Sequence, residues 1–94
     1  MASEFFCWVN QAGVGTQGDN ETPNPVVYFQ LTDAHTPPSF SASWWYAAEP
    51  GKNQMLAVAL AAIANQYQVN AFLDPAKPGA GPHPACYNMY LMAP

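Results

Sequence analysis

The sequence predicts a mainly β domain with one helix, arranged as an OB-like five-stranded Greek-key barrel. Five short segments alternate their side chains with the two-residue period of strands. A ten-residue run at 55–64, MLAVALAAIA, has no polar side chain and is rich in Ala and Leu, which favours helix. The resulting order β-β-β-α-β-β is that of the OB-fold. A four-stranded sheet packed on the helix is the competing arrangement.

The elements follow from alternation and from turn residues. The first strand ends before a loop with three glycines and two prolines, the third ends at Glu49-Pro50-Gly51, and the fourth ends at Asp74-Pro75. The helix begins just after this Pro-Gly pair, where proline is tolerated. Strands are expected over residues 5–9, 26–32, 39–46, 69–73 and 86–92, and the helix over 52–66. Residues 1–94 are expected to form one domain.

The third strand carries the predicted ligand site. Its alternation places Phe40, Trp44 and Tyr46 on the core side and leaves Trp45 exposed on a serine-rich face. An exposed indole beside hydroxyl groups is typical of carbohydrate sites, because the ring stacks on the apolar face of a sugar. The alternative is that Trp45 packs in a subunit interface, where Trp is also enriched. The long loops 11–25 and 74–85 would border this face, so the predicted contacts are Ser41, Ser43, Trp45, Asn20 and His83.

Composition excludes several classes of function. Half of the 94 residues are hydrophobic and only 9% are charged, with a net charge of -4. Two lysines and no clustered basic residues argue against nucleic acid as a partner. Ten apolar residues are too few to cross a bilayer, which needs about 20, so no membrane insertion is expected. Neither histidine has a nucleophile or carboxylate beside it in a catalytic pattern, and we expect no enzyme activity, no cofactor and no metal site.

Two cysteines bear on the cellular location. Cys7 and Cys86 lie near opposite ends of the chain, each in a strand-like segment. If the terminal strands pair, they can form a disulfide, and the protein is then expected to be secreted or extracellular. The alternative is two buried free thiols, in which case a cytoplasmic location is expected. Two cysteines outside a CxxC motif are too few for a structural zinc site.

The helix predicts self-association. A helix that is apolar around its whole circumference must be buried on every side, and a chain this short cannot wrap it completely. The second face is therefore expected to meet other copies, and the predicted interface residues are Met55, Val58, Ala61 and Ala62.

The helix after strand three, the distant cysteine pair and a last strand carrying the second cysteine are shared with a known family. In these features the chain resembles the B subunits of AB5 bacterial toxins. The resemblance covers nearly the whole chain and rests on architecture and spacing. It implies a glycan-binding subunit of a homopentameric ring that recognises cell-surface glycans, and a role as the B subunit of a toxin. The alternative is a scaffold oligomer without a small ligand.

Overall fold

The computed structural model describes residues 2–15, 26–78 and 84–93 of the chain. Its elements, in chain order, are β1 (Ser3–Gly15), β2 (Val26–Asp33), β3 (Ser43–Ala47), α1 (Lys52–Asn65), β4 (Val69–Pro78) and β5 (Pro84–Leu91). The strands close into a barrel in the order β1-β2-β3-β5-β4. All neighbours are antiparallel except β3 and β5, which run parallel. The predicted OB-like barrel and its β-β-β-α-β-β order are confirmed.

Four strands extend beyond their predicted bounds, β2 by a single residue to Asp33. β1 continues to Gly15 because its second half pairs with β2, with Gln11 opposite Gln30 and Gly15 opposite Val26. An irregularity between Val9 and Gln11 shifts the register along the way. β4 and β5 likewise pair beyond Asp74, although prolines lie there. The described parts of the predicted loops 11–25 and 74–85, which are residues 11–15, 74–78 and 84–85, are therefore strand. A long-range partner supplies hydrogen bonds that local composition does not reveal.

β3 is shorter than predicted, and its faces are reversed. Residues 34–42 form bends, and Ala42 adopts a left-handed backbone conformation with φ 50°. This conformation interrupts the two-residue alternation that the sequence suggested. Within β3, Trp45 lies opposite Phe29 of β2, and directly opposed residues share a face of the sheet. Phe29 is fully buried, so Trp45 points into the core and is only 4% exposed. The prediction of an exposed Trp45 is wrong.

The cysteines do not form the predicted disulfide. Both Cys7 and Cys86 are free thiols buried in the barrel. The reason lies in the strand order, because β1 pairs with β2 and β4 whereas β5 pairs with β3 and β4. The terminal strands are not neighbours. Instead, Cys86 Sγ lies 4.0 Å from Met55 Sδ of the helix.

α1 packs one face on the barrel and exposes the other. Met55, Ala59 and Ala62 are buried against β1, β2 and β5. Two predicted interface residues, Met55 and Ala62, are thus covered by their own domain. Val58 packs partly against the same core, and Ala61 is partly exposed. The exposed apolar positions of the helix are those of the opposite face, Ala57, Leu60, Ile63 and Ala64. Leu60 is 50% exposed and Ile63 is 40% exposed.

Candidate functional site

The predicted ligand face is not assembled as the sequence suggested. The Trp45 ring packs on Phe40 inside the barrel, with ring centroids 5.2 Å apart, so it offers no stacking surface. Ser41 lies in the bend before β3, and Ser43 begins the strand on the inward side with Trp45. The two predicted loop contacts, Asn20 and His83, lie outside the described residues.

A different indole is available on the barrel surface. Trp8 of β1 is 44% exposed, while its neighbour Cys7 is fully buried. Strand alternation explains this arrangement, because Cys7 points inward and Phe6 and Trp8 therefore point outward. The sequence contained a signal for this site. A strand that is apolar on both faces in so small a domain must leave one apolar face outside the core.

Trp8 borders a pocket of about 280 Å³ at the end of the helix. Its lining residues are Trp8, Val9, Ala62, Ile63, Gln66 and Tyr67. The helix ends at Asn65 and is capped by Gln66, whose φ of 57° is left-handed. The backbone N–H groups of Gln66 and Tyr67 donate to carbonyls of the last helical turn. This C-terminal capping arrangement fixes the turn that leads from α1 to β4. It also places the exposed Gln66 amide beside the indole.

A second pocket of about 230 Å³ adjoins the first one and is also lined by Trp8. It shares Trp8, Gln66 and Tyr67 with the first pocket and adds Gln68, Met92 and Ala93. The backbone N–H of Met92 donates to the carbonyl of Gln68 at 3.0 Å, which ties the end of β5 to the start of β4. The aromatic rings and amide groups are therefore held on hydrogen-bonded backbone.

A third pocket of about 190 Å³ is lined by Phe6, Ala34, His35 and Gln68. The Asp33 carboxylate holds the backbone and the His35 ring beside this third pocket through hydrogen bonds. It accepts hydrogen bonds from the backbone N–H of Ser39 at 2.7 Å and of His35 at 3.2 Å, and its Oδ1 lies 2.7 Å from His35 Nδ1. These bonds, first that from Ser39 and then that from the His35 ring, hold the pKa of Asp33 well below its usual range. The ionised carboxylate can only accept, so Nδ1 of His35 carries the proton.

The three pockets have one property in common, which is their lack of charge. Among their lining residues, all within the described ranges, there is no Asp, Glu, Lys or Arg. The lining consists of aromatic rings, amides, small apolar groups and one imidazole. Such a surface can stack on and hydrogen-bond a neutral polar ligand, and it has no side chain to pair with a strongly charged one.

A separate pocket of about 210 Å³ lies between the start of α1 and β5. Its lining residues are Pro50, Gly51, Gln54, Met55, Val58, Tyr87, Asn88, Met89 and Tyr90. Tyr90 is 55% exposed and packs its ring against Phe72 at 6.5 Å. This pocket also combines aromatic and amide groups, but it lacks an indole.

The thiols are not placed for chemistry. Burial, and then the negative charge of Asp33, raises the pKa of Cys7 to about 12. Burial, and then the proximity of Cys7, raises the pKa of Cys86 to about 12 as well. The reactive species of a cysteine is the thiolate, so neither side chain is an activated nucleophile.

The described part of the chain holds no group of three or more His, Cys, Asp or Glu side chains placed to bind a metal ion. No helix within residues 2–15, 26–78 and 84–93 is long and apolar enough to cross a membrane. Comparison of the chain with family models, with curated proteins and with solved structures gave no match.

Proposed function

We propose that this domain is a carbohydrate-binding subunit that recognises its ligand through Trp8 and acts as a homo-oligomer. The observation that carries the proposal is the half-exposed Trp8 indole, placed between two adjoining pockets and beside the amides of Gln66 and Gln68. A sugar ring has one face of C–H groups and a rim of hydroxyls. An aromatic surface flanked by amides matches both parts.

The chemistry of the site favours binding without conversion of the ligand. Most glycoside hydrolases use two carboxyl groups that flank the scissile bond. The described residues that line the Trp8 pockets include no carboxylate. We therefore assign the site to recognition.

Self-association is proposed from surfaces that the isolated domain leaves open. The outer face of α1 presents Leu60 and Ile63 with no charged side chain anywhere in residues 53–68. Two sheet edges are also open within the described residues. β4 pairs with β1 only as far as Cys7, so residues 11–15 pair with β2 alone. β3 pairs with β5 only at Ala85 and Cys86, which leaves residues 87–91 unpaired on that side.

The open edges support a second copy as the covering partner. Neither segment carries a charge or a proline, although proteins usually protect free edges with such residues. Two different edges on one chain allow head-to-tail pairing, which generates rings when the rotation closes. A ring agrees with the resemblance to AB5 toxin B subunits, and a pentamer is the favoured size. Because Ile63 belongs both to the outer helix face and to the first pocket, the binding sites would lie at the rim of the assembly.

A glycan array, followed by titration in solution, tests the binding proposal. The labelled protein is compared with Trp8→Ala and with Trp44→Phe, which alters a half-buried indole of β3 that lies outside the pockets and outside both open edges. We expect wild type and Trp44→Phe to bind the same glycans, and Trp8→Ala to lose binding by about tenfold or more. Equal binding by wild type and Trp8→Ala would assign recognition to another surface. No binding to any glycan would refute the proposed function.

Light scattering tests the oligomer with Leu60→Glu against Leu60→Ala. A carboxylate at this half-exposed position is tolerated in a monomer but is buried without a partner in an interface. We expect wild type and Leu60→Ala to assemble and Leu60→Glu to remain folded as a monomer. A monomeric wild-type mass at micromolar concentration would contradict the proposal. An oligomer that binds no glycan would instead support the second candidate function, a scaffold oligomer, which the open helix face and edges favour.

A further inference from the structure

We infer that the three pockets around Trp8 and Phe6 form one groove for a linear, uncharged oligosaccharide of at least three sugar units. This inference rests on the proposed carbohydrate-binding function and adds the size and charge class of the ligand. The groove begins at Ile63, in the last turn of α1, and ends at His35, in the bend after β2.

The three pockets adjoin one another through the residues that line more than one of them. Trp8, Gln66 and Tyr67 line both the first and the second pocket. Gln68 lines both the second and the third. A ligand can therefore pass from the helix end to the His35 end along one surface. A single sugar occupies only one of the three pockets, so the length of the groove favours a chain of sugars.

The aromatic rings along β1 are spaced for successive units. Phe6 and Trp8 are two residues apart on the same face of the strand, which separates their positions by about 6.8 Å. Phe6 lines the third pocket, and Trp8 lines the first two. Each ring offers an apolar surface to a different sugar, while the Gln68 amide between these pockets can bond to hydroxyls of both.

The far end of the groove is rigid and offers one directed polar atom. The ionised Asp33 carboxylate accepts a hydrogen bond from Nδ1–H of His35 at 2.7 Å. Nε2 is then the ring nitrogen that can accept a hydrogen bond from a ligand hydroxyl. The His35 ring also lies 6.2 Å from Phe6, and the N–H of Ala34 donates to the carbonyl of Phe6 at 2.8 Å. The third pocket is thus fastened directly to β1.

Charge excludes acidic sugars from the same groove. Glu4 lies on the outward face two residues before Phe6, where its carboxylate accepts a hydrogen bond from Asn70 at 2.7 Å. The chain as a whole carries a net charge of -4. No lysine or arginine among the groove residues compensates this negative charge for a uronic or sialic acid.

Titration with sugars of increasing length tests the inference. The probes are malto-, cello- and chito-oligosaccharides of one to six units, followed by NMR of the full chain. For the series that binds, we expect the Kd to fall by about tenfold from one to two units and again from two to three, and then to level off. The His35 imidazole signals should shift with trisaccharide but not with disaccharide.

Phe6→Leu provides the matching variant, because it keeps an apolar side chain and removes only the ring. It should weaken trisaccharide binding by about five- to tenfold and leave disaccharide binding unchanged. Phe72→Leu, which alters a half-buried phenyl ring outside the groove, should match wild type on both ligands. If Phe6→Leu does not fold, the His35 signals of the wild-type protein answer the same question.

The outcomes separate this inference from the function on which it rests. A Kd that does not depend on length, unchanged trisaccharide binding by folded Phe6→Leu, or a glycan array in which only acidic glycans bind would overturn the extended groove while leaving carbohydrate binding in place. Absence of binding to every glycan on the array would remove the proposed function itself.

Discussion

Replacing Trp45 tests the most consequential packing feature of the barrel. Trp45 is 4% exposed and packs against Phe40, whereas the adjacent Trp44 is half-buried and packs against Tyr28 on the outside, with centroids 5.2 Å apart. Truncating a buried Trp to Ala costs about 3–5 kcal/mol, and the half-buried Trp44 should cost roughly half as much. At ~4–8 °C per kcal/mol for a domain of this size, Trp45→Ala should lower the Tm by more than about 12 °C.

A second substitution at Trp45 sharpens this prediction. Its Nε1 is buried without a hydrogen-bond partner, so Trp45→Phe removes an unsatisfied donor together with part of the ring. The relief of about 1–3 kcal/mol offsets much of the lost packing, and we expect Trp45→Phe to change the free energy of unfolding by ~1 kcal/mol or less. Urea unfolding followed by circular dichroism measures all three variants. A larger loss of unfolding free energy for Trp44→Ala than for Trp45→Ala would contradict the structure. It would support the arrangement that the sequence alone suggested, with Trp44 in the core and Trp45 outside.

Two further predictions concern the buried Asp33 carboxylate and the two buried thiols. Because folding lowers the pKa of Asp33, its contribution to stability is complete above the unfolded carboxyl pKa of about 3.9 and is lost as the pH falls below it. Asp33→Asn should therefore lower the free energy of unfolding by about 2 kcal/mol at pH 6 and by less at pH 3. Urea unfolding measures both values. An equal loss at both pH values would show that the carboxylate does not anchor Ser39 and His35. Cys7 and Cys86 should both react with a thiol reagent only after unfolding, and unfolded, non-reduced protein without reactive thiols would instead demonstrate a disulfide.

Local pattern was sufficient for the order of the elements because each has its own period or turn residues. The helix ends one residue from its predicted limit, since the apolar run and the Pro-Gly pair are both local signals. The extension of β1 to Gly15 is not local, because residues 11–15 are strand only through their pairing with β2. The Cys7–Cys86 disulfide was wrong for the same reason, as strand adjacency depends on the closed order of the barrel.

The sequence predicted an exposed indole at Trp45, and the structure exposes the indole of Trp8 instead. An exposed indole beside polar groups exists, but it is Trp8 and not Trp45. The exchange arises at Ala42, whose left-handed φ shifts the alternation of β3 by one residue. The pocket beside Trp8 also depends on the turn at Gln66, which brings the helix end against β1. No periodicity in either segment encodes this contact.

Ligand binding at Trp8 is the central claim, and tryptophan fluorescence under glycan titration tests it most directly. Trp8 is the most exposed of the three indoles, so its emission should respond to a bound sugar while that of buried Trp45 does not. We expect an array-selected neutral glycan to shift the emission of wild type and of Trp44→Phe with the same Kd. The emission of Trp8→Phe should not shift, and its Kd, followed by NMR, should be at least about fivefold weaker. A Trp8→Phe protein that still shows the full emission change with the wild-type Kd would contradict the account.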